Sequence, residues 1–274
     1  MLKKNDAKFI IFSDIHYAPV ALDIKVDGVQ RKLTEYAVPL ANKLIETVNE
    51  TMPDAVINLG DSIQDSSNYE EDINNLKYIC NVFKGFNVPF LSVSGNHDLR
   101  LLSRQEVSDI MGQNHHNFSE DIKGYHIMFL GLDVNEAAPN GSGGILRTRK
   151  LRSSTLEWIK NDLLNNNLPT LIFIHYGVAE DDMQNNFWFY KNKEAALLEN
   201  RVELKHILEN DNNVLAVFSG HQHWTKRLVE GNIQYFVVGS LTENMKNDGV
   251  PDGIYLEVDI KNKDIEVKEH HLKI

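Results

Sequence analysis

Short apolar, β-branched runs recur along the chain at 9–12, 55–59, 90–93, 127–132, 171–174, 214–218, 235–238 and 254–258. Their length fits buried strands better than helices, and a weaker alternation at 263–268 suits an edge strand. Between them, helical spacing marks 31–51, 70–83, 104–111, 155–165 and 194–209. Ser153 or Ser154 is placed to cap the fourth helix, and Pro53 and Pro169 sit where helices have just ended. The alternation predicts α/β layering. After Val214 several strands follow with only short turns between them, which leaves no room for crossover helices. A parallel sheet running to the C-terminus or an eight-fold barrel therefore fits poorly, and two packed sheets with helices outside fit better. No internal repeat or Ser/Gly-rich linker breaks the pattern, so 1–274 reads as a single domain. The loop 135–152, with glycines at 141, 143 and 144, is the most flexible-looking stretch and separates two halves of that domain.

Composition narrows the function. With 42% hydrophobic and 24% charged residues the chain is ordinary globular protein, not a disordered or low-complexity one. The formal charge of −11 opposes sequence-independent nucleic-acid binding, which needs a basic face, but leaves room for a small phosphorylated substrate met by bound cations. Cys80 is the single cysteine, so no internal disulfide forms and a reducing cytoplasm fits. Residues 1–8 carry no apolar core of a signal peptide, and no run approaches the roughly 18 apolar residues of a membrane span. A soluble, cytoplasmic protein without a membrane partner is expected.

The chemistry is written where strands end. Ser13-Asp14-Ile15-His16 follows the first run, Gly60-Asp61 the second and Ser94-Gly95-Asn96-His97-Asp98 the third; His175 follows the fifth, and Ser219-Gly220-His221-Gln222-His223 the sixth. Strand C-termini are where open sheets place their sites. Asp14 and His16 share a side if their segment is extended, as do His221 and His223. Three carboxylate or amide oxygens with four imidazoles and no thiolate suit Mn²⁺, Fe or Zn²⁺. Seven donors exceed one open catalytic site and suit two ions roughly 3.5–4 Å apart, bridged by a carboxylate. The glycines before Asp61, Asn96 and His221 are expected to turn the backbone sharply.

Other candidates carry less. Cys80 reads as a small core side chain, and His115, His116, His126 and His206 as surface or core residues. His270 and His271 read as a solvated tail. The basic stretch 147–152 reads as an exposed lead-in to a helix, with contact to substrate phosphate as the alternative. The glycines near 140 lack the strand–turn–helix context and lysine of a phosphate-cradling loop.

At Asp14–His16, Gly60-Asp61, Gly95–Asp98, His175 and Gly220–His223 the sequence resembles the calcineurin-like metallophosphoesterases, over most of its length. The resemblance implies a four-layer αββα sandwich with two mixed sheets and a dinuclear metal centre of divalent or trivalent ions. It implies that Asp14, His16 and His223 hold one ion, that Asn96, His175 and His221 hold the other, and that Asp61 bridges. It gives His97 contact with the phosphate and protonation of the leaving group, and it has Asp98 orient His97. One departure is that Tyr176-Gly177 follows His175 where many relatives carry a proline. The activity implied is hydrolysis of a small phosphodiester, nucleotide or related organophosphate by metal-activated water. The alternatives are a nuclease, which the acidic balance opposes, and a non-catalytic scaffold, which the full ligand set opposes. The aromatic stretch 187–190, between the last two ligand motifs, is a candidate substrate rim.

Overall fold

A computed structural model describes residues 6–114, 116–132 and 149–274. His115, the glycine cluster at 141–144, most of the loop 135–152 and the first two residues of the basic stretch 147–152 lie outside them. The elements run β1 (Asp6–Phe12), β2 (Lys25–Val26), β3 (Val29–Gln30), α1 (Ala37–Thr51), β4 (Ala55–Asn58), α2 (Tyr69–Phe83), β5 (Phe90–Ser92) and α3 (Arg104–Met111). Then come β6 (Phe118–Ile122), β7 (Tyr125–Leu130), α4 (Ser153–Leu164), β8 (Thr170–Ile174), α5 (Arg201–Glu209) and β9 (Val214–Ser219). The chain closes with β10 (Lys226–Glu230), β11 (Ile233–Val237), β12 (Ile254–Lys261) and β13 (Asp264–His271).

Two mixed sheets form, in the orders β13-β12-β1-β4-β5 and β10-β11-β9-β8-β7-β6. Side-chain alternation builds the layers. On β1, Phe9 and Ile11 face the second sheet, while Ile10 and Phe12 face the helices with Leu40, Leu44 and Ile79. On β7, Ile127 and Phe129 turn inward, and Met128 and Leu130 turn out. The result is helices, sheet, sheet, helices, as the family resemblance implies. Between the sheets, Phe118, Phe129, Phe173, Phe218 and Phe236 are direct cross-strand partners on β6, β7, β8, β9 and β11. Their rings stack in sequence at 4.6, 5.2, 5.3 and 5.0 Å.

Differences from the sequence reading have local causes. The first helix starts at Ala37, after a 3₁₀ turn at Thr34–Tyr36, not at residue 31. Pro39 is tolerated in a first turn but not inside a helix begun eight residues earlier. Residues 31–33 instead bond to the segment before β12, through Leu33 N–H to Thr242 O (3.0 Å) and Asn244 N–H to Arg31 O (2.7 Å). The stretch 194–209 splits into a 3₁₀ turn, Lys193–Ala196, and α5, because Leu197 is extended and bridges Gly177. Neither serine caps α4, since Arg152 is its N-cap and Ser153 its first residue. By contrast Asn68 caps α2, and Ser103 with Glu106 forms a capping box on α3. The strands missed, β2, β3, β6 and β10, are half-exposed and polar. His270 and His271 are no tail: they end β13 beside β12, with His270 stacked on Tyr255 at 5.0 Å. Among the described residues no helix is long and apolar enough to cross a membrane.

Candidate metal centre

The seven candidate ligands meet at one end of the sandwich, and their backbone is unusual. Asp14 and His16 are not in an extended segment; both are left-handed, at φ 54° and 47°. Asp61, His221 and His223 are left-handed too, at 53°, 66° and 60°. Non-glycine residues persist there only when their surroundings over-determine them, at about 1–3 kcal/mol each. Here the first two loops bond to one another, Asp14 N–H to Gly60 O and His16 N–H to Asp61 O, both at 3.0 Å. The glycines mostly serve another purpose than expected. Gly60 is left-handed, at φ 101°, but Gly95 and Gly220 are required by close approach. A side chain on Gly95 would strike the Asp61 carboxylate, and one on Gly220 would strike Ser13 Oγ.

Ligand atoms of Asp14, His16, Asp61 and His223 lie within 4.8 Å of one another, and so do those of Asp61, His175 and His221. Asp61 belongs to both groups: its Oδ2 is 3.8 Å from His16 Nε2 and 3.4 Å from His175 Nε2. Asn96 joins the second group, with Oδ1 3.1 Å from His175 Nε2. Asp14 Oδ1 and Asp61 Oδ2 are buried without a hydrogen-bond donor. Such atoms are costly unless something positive faces them. Burial acts against ionisation of Asp14, yet the facing His223 and His16 hold its carboxyl well below the usual range. Asp61 is also lowered, against burial, by His175 and His97. Burial opposes the His175 imidazolium, but Asp61 pushes it up to about 9.

Hydrogen bonds set the imidazole tautomers. His175 Nδ1 donates to Leu59 O (2.7 Å), His223 Nδ1 to Glu243 (2.7 Å) and His221 Nε2 to Ala195 O (3.1 Å). The other nitrogen of each ring is thereby left for an ion, which would displace the proton that Asp61 otherwise favours on His175. The residues thus fit two borderline-hard cations: orphaned carboxylate oxygens, oriented lone pairs and no thiolate. Glu243 carried no sequence signal, yet it is fully buried beside His223. Replacing Glu243 by alanine is expected to weaken metal binding by about 10–100-fold, read by metal titration. Unchanged affinity would leave Glu243 a packing residue only.

Asp98 requires a correction. It does not touch the His97 ring; its carboxylate accepts the backbone N–H groups of Ser62, Ile63 and Gly95 at 2.8, 3.2 and 2.9 Å. Burial and the nearby Asp61 push its carboxyl up to about 7. The residue on His97 Nδ1 is Asp65, itself held by Arg100 Nε at 2.8 Å. Asp98 follows His97 in a tight loop and points back into the loop backbone, whereas Asp65 arrives from the loop after Asp61. His97 Nε2 is 3.9 Å from Asp61 Oδ2 and faces the same space.

Above the ligands opens a cavity of about 560 Å³, lined by Lys32, His97, Arg149, Tyr176, Trp188 and Phe189 among others. Tyr176 packs edge-on against His221 at 4.3 Å. The aromatic stretch divides. Trp188 and Phe189 pack on His223 and His221, with Trp188 Nε1 donating to Glu243 (3.1 Å). Phe187 instead lies under the Arg31 guanidinium at 3.5 Å, and Tyr190 is exposed. Arg149, from the basic stretch, does reach this lining, and its Nη2 is 3.3 Å from Glu199. Lys32, unmarked in the sequence, is almost fully buried at the cavity edge; burial pushes its ammonium down. Cys80 lies away from the cavity, and burial pushes its thiol up to about 12, which suits no nucleophile. His126 sits between Asp121 (2.7 Å) and Asp162 (3.0 Å), and it too lies away from the ligands.

A family model described as calcineurin-like phosphoesterase matches residues 7–225. A search of curated proteins returns no match. Among solved structures, a dimetal phosphatase from Danio rerio superposes at TM-score 0.73, with 14% identity over 97% of this chain and 98% of its own. A putative 5′-nucleotidase from Staphylococcus aureus gives 0.62, with 13% identity over 97% of this chain and 54% of its own. GAP50, the anchor in the inner membrane complex of Plasmodium, gives 0.55, with 12% identity over 98% of this chain and 89% of its own. At such identities these likenesses establish the fold.

Proposed function

Because the chain belongs to the calcineurin-like phosphoesterase family, whose members are metal-dependent phosphoester hydrolases, we propose that it cleaves a small phosphodiester, nucleotide or related organophosphate. The observation that carries this reading is Asp61, one carboxylate shared by two ligand groups on the floor of a small cavity. Asp14, His16 and His223 would hold one ion, Asn96, His175 and His221 the other, and Asp61 would serve both; Mn, Fe and Zn suit the donors. When bound, two such ions neutralise phosphoryl oxygens and bring a water nucleophile's pKa toward neutrality.

The chain's own groups do the rest. His175, His221 and His223 are held in fixed orientations by Leu59, Ala195 and Glu243, so each would offer its other nitrogen to an ion without rearrangement. His97 presents Nε2 to the cavity while Asp65 takes its Nδ1–H, the arrangement of a general acid for a leaving oxygen. Asp98 holds the loop that carries Asn96 and His97. Tyr176, Trp188 and Phe189 wall the cavity. A cavity of about 560 Å³ under a net charge of −11 favours a small ester over a nucleic-acid strand. The single cysteine fits a reducing, cytoplasmic setting.

The test is a screen of mono- and diesters with stripped protein resupplied with Mn²⁺, Fe or Zn²⁺. Hydrolysis that returns with metal is expected, and none above a metal-only control would refute the reading. Selectivity has a separate test. Trp188→Ala is expected to cost about 1–3 kcal/mol of binding for esters with a planar base and nothing for an aliphatic phosphoester. Equal losses on both would make Trp188 a support for His223 instead.

A further inference from the structure

Lys32 has no place in the ligand motifs, yet its surroundings are those of a working group. Its backbone is stitched down on both sides, by Leu33 N–H to Thr242 O and Asn244 N–H to Arg31 O, and Lys32 itself bridges Glu243. The side chain passes under Trp188, whose ring centroid is 5.3 Å from Nζ. Nζ then stands 3.0 Å from Gln64 Oε1, 3.3 Å from His16 Nδ1 and 3.4 Å from His97 Nε2.

Those neighbours do not satisfy an ammonium. Among the described residues no carboxylate oxygen lies within 4.0 Å of Nζ, and buried cations are normally paired. Gln64 supplies one acceptor. His16 turns Nε2 toward the ligand cluster, 3.0 Å from His223 Nε2, so with an ion there its Nδ1 carries the proton and accepts nothing. His97 turns Nδ1 to Asp65 and Nε2 to the cavity, so of the three N–H groups on Nζ only the one toward Gln64 has a carbonyl oxygen to meet. Lys32 Nζ and His97 Nε2 therefore line the same corner of the cavity, where an anionic oxygen would meet the ammonium.

We propose that Lys32 is a substrate-contacting residue that donates to a non-bridging phosphoryl oxygen beside the leaving group served by His97. The proposal rests on the hydrolase reading for the identity of the anion. The geometry divides the labour: His97 moves a proton to the departing oxygen, and Lys32 holds an oxygen that stays on phosphorus. The two residues are therefore distinguishable by chemistry.

The experiment compares wild type, Lys32→Met and Lys32→Arg, each loaded with metal and assayed for metal content. Two quantities are read: the affinity for inorganic phosphate by calorimetry, and kcat/KM over aryl phosphoesters of graded leaving-group pKa. Lys32→Met should keep its metal, lose about 10–100-fold in phosphate affinity and lose a similar factor in kcat/KM, the scale of a hydrogen bond to a charged group. That loss should be the same for good and poor leaving groups, unlike the loss at His97. Lys32→Arg should recover part of the phosphate affinity. Phosphate affinity within about twofold of wild type, loss of metal in Lys32→Met, or no recovery with arginine would each overturn the proposal and make Lys32 a structural prop. A wild type that binds phosphate but cleaves no ester would instead overturn the hydrolase reading, leaving Lys32 an anion-binding residue.

Discussion

Asp61→Asn is expected to empty both ion sites together and to lower turnover by about 10³-fold, the scale of losing preorganised charge at a reacting centre. The reason lies in how the two oxygens are committed. Oδ1 accepts the His97 backbone N–H at 2.8 Å, while Oδ2 faces His16 and His175. An asparagine that keeps the bond to His97 must put its NH₂ where Oδ2 stood, presenting donors to the place of the cations. One that flips sets NH₂ against the His97 N–H and disturbs the loop carrying Asn96. Either way both ligand groups lose their shared member, whereas loss of His16 or His221 touches one group each. Elemental analysis decides the matter: two metals per chain with near-normal turnover in Asp61→Asn would refute the bridging role.

His97→Ala is the second large effect, with a different signature. Metal content should stay near wild type, because His97 belongs to neither of the two ligand groups. Turnover should fall by about 10²–10⁴-fold, the usual contribution of a general acid. Esters of nitrophenol, whose leaving oxygen needs little protonation, should lose least. The structure adds a control absent from the sequence: Asp65→Asn should show the same leaving-group dependence in weaker form, since Asp65 holds the Nδ1 proton. Asp98→Asn should show no such dependence, since the Asp98 carboxylate is taken up by backbone N–H groups of the loops. Equal losses for good and poor leaving groups in His97→Ala would assign the ring to phosphate binding.

The fold and the ligands were readable for a common reason. Strands such as 55–59 and 171–174 announce themselves by unbroken apolar runs, and the residue types that follow them, Asp61 and His175, have few uses other than ligation. What could not be read is what reaches the site from a distance. Lys32 and Glu243 are ordinary charged residues in sequence, and only the pairing of 31–33 with 242–244 brings them to His16 and His223. The family resemblance names Asp98, the next residue, as the partner of His97. Adjacent residues in a tight loop point apart, however, and Asp65 is 32 positions away. The left-handed backbone at Asp14 and His16 was invisible for the same reason: nothing local favours it, and the bonds from Gly60 and Asp61 impose it.

The five stacked phenylalanines make the accuracy of the site an integer property. His175 and the Gly-His-Gln-His turn hang from β8 and β9, whose inner faces are locked ring on ring by Phe173 and Phe218. A one-residue slip of β8 would send Phe173 to the helix side, and a two-residue slip would move His175 by about 6.6 Å. That exceeds the 4.8 Å within which the second ligand group gathers. The register shift that this pair does contain lies at its start, between Thr170 and Leu171, away from His175. Errors in assembling this sheet should therefore yield molecules with no second ion site rather than molecules with a weakened one, and a partly misfolded preparation should titrate as a mixture of full and absent affinity.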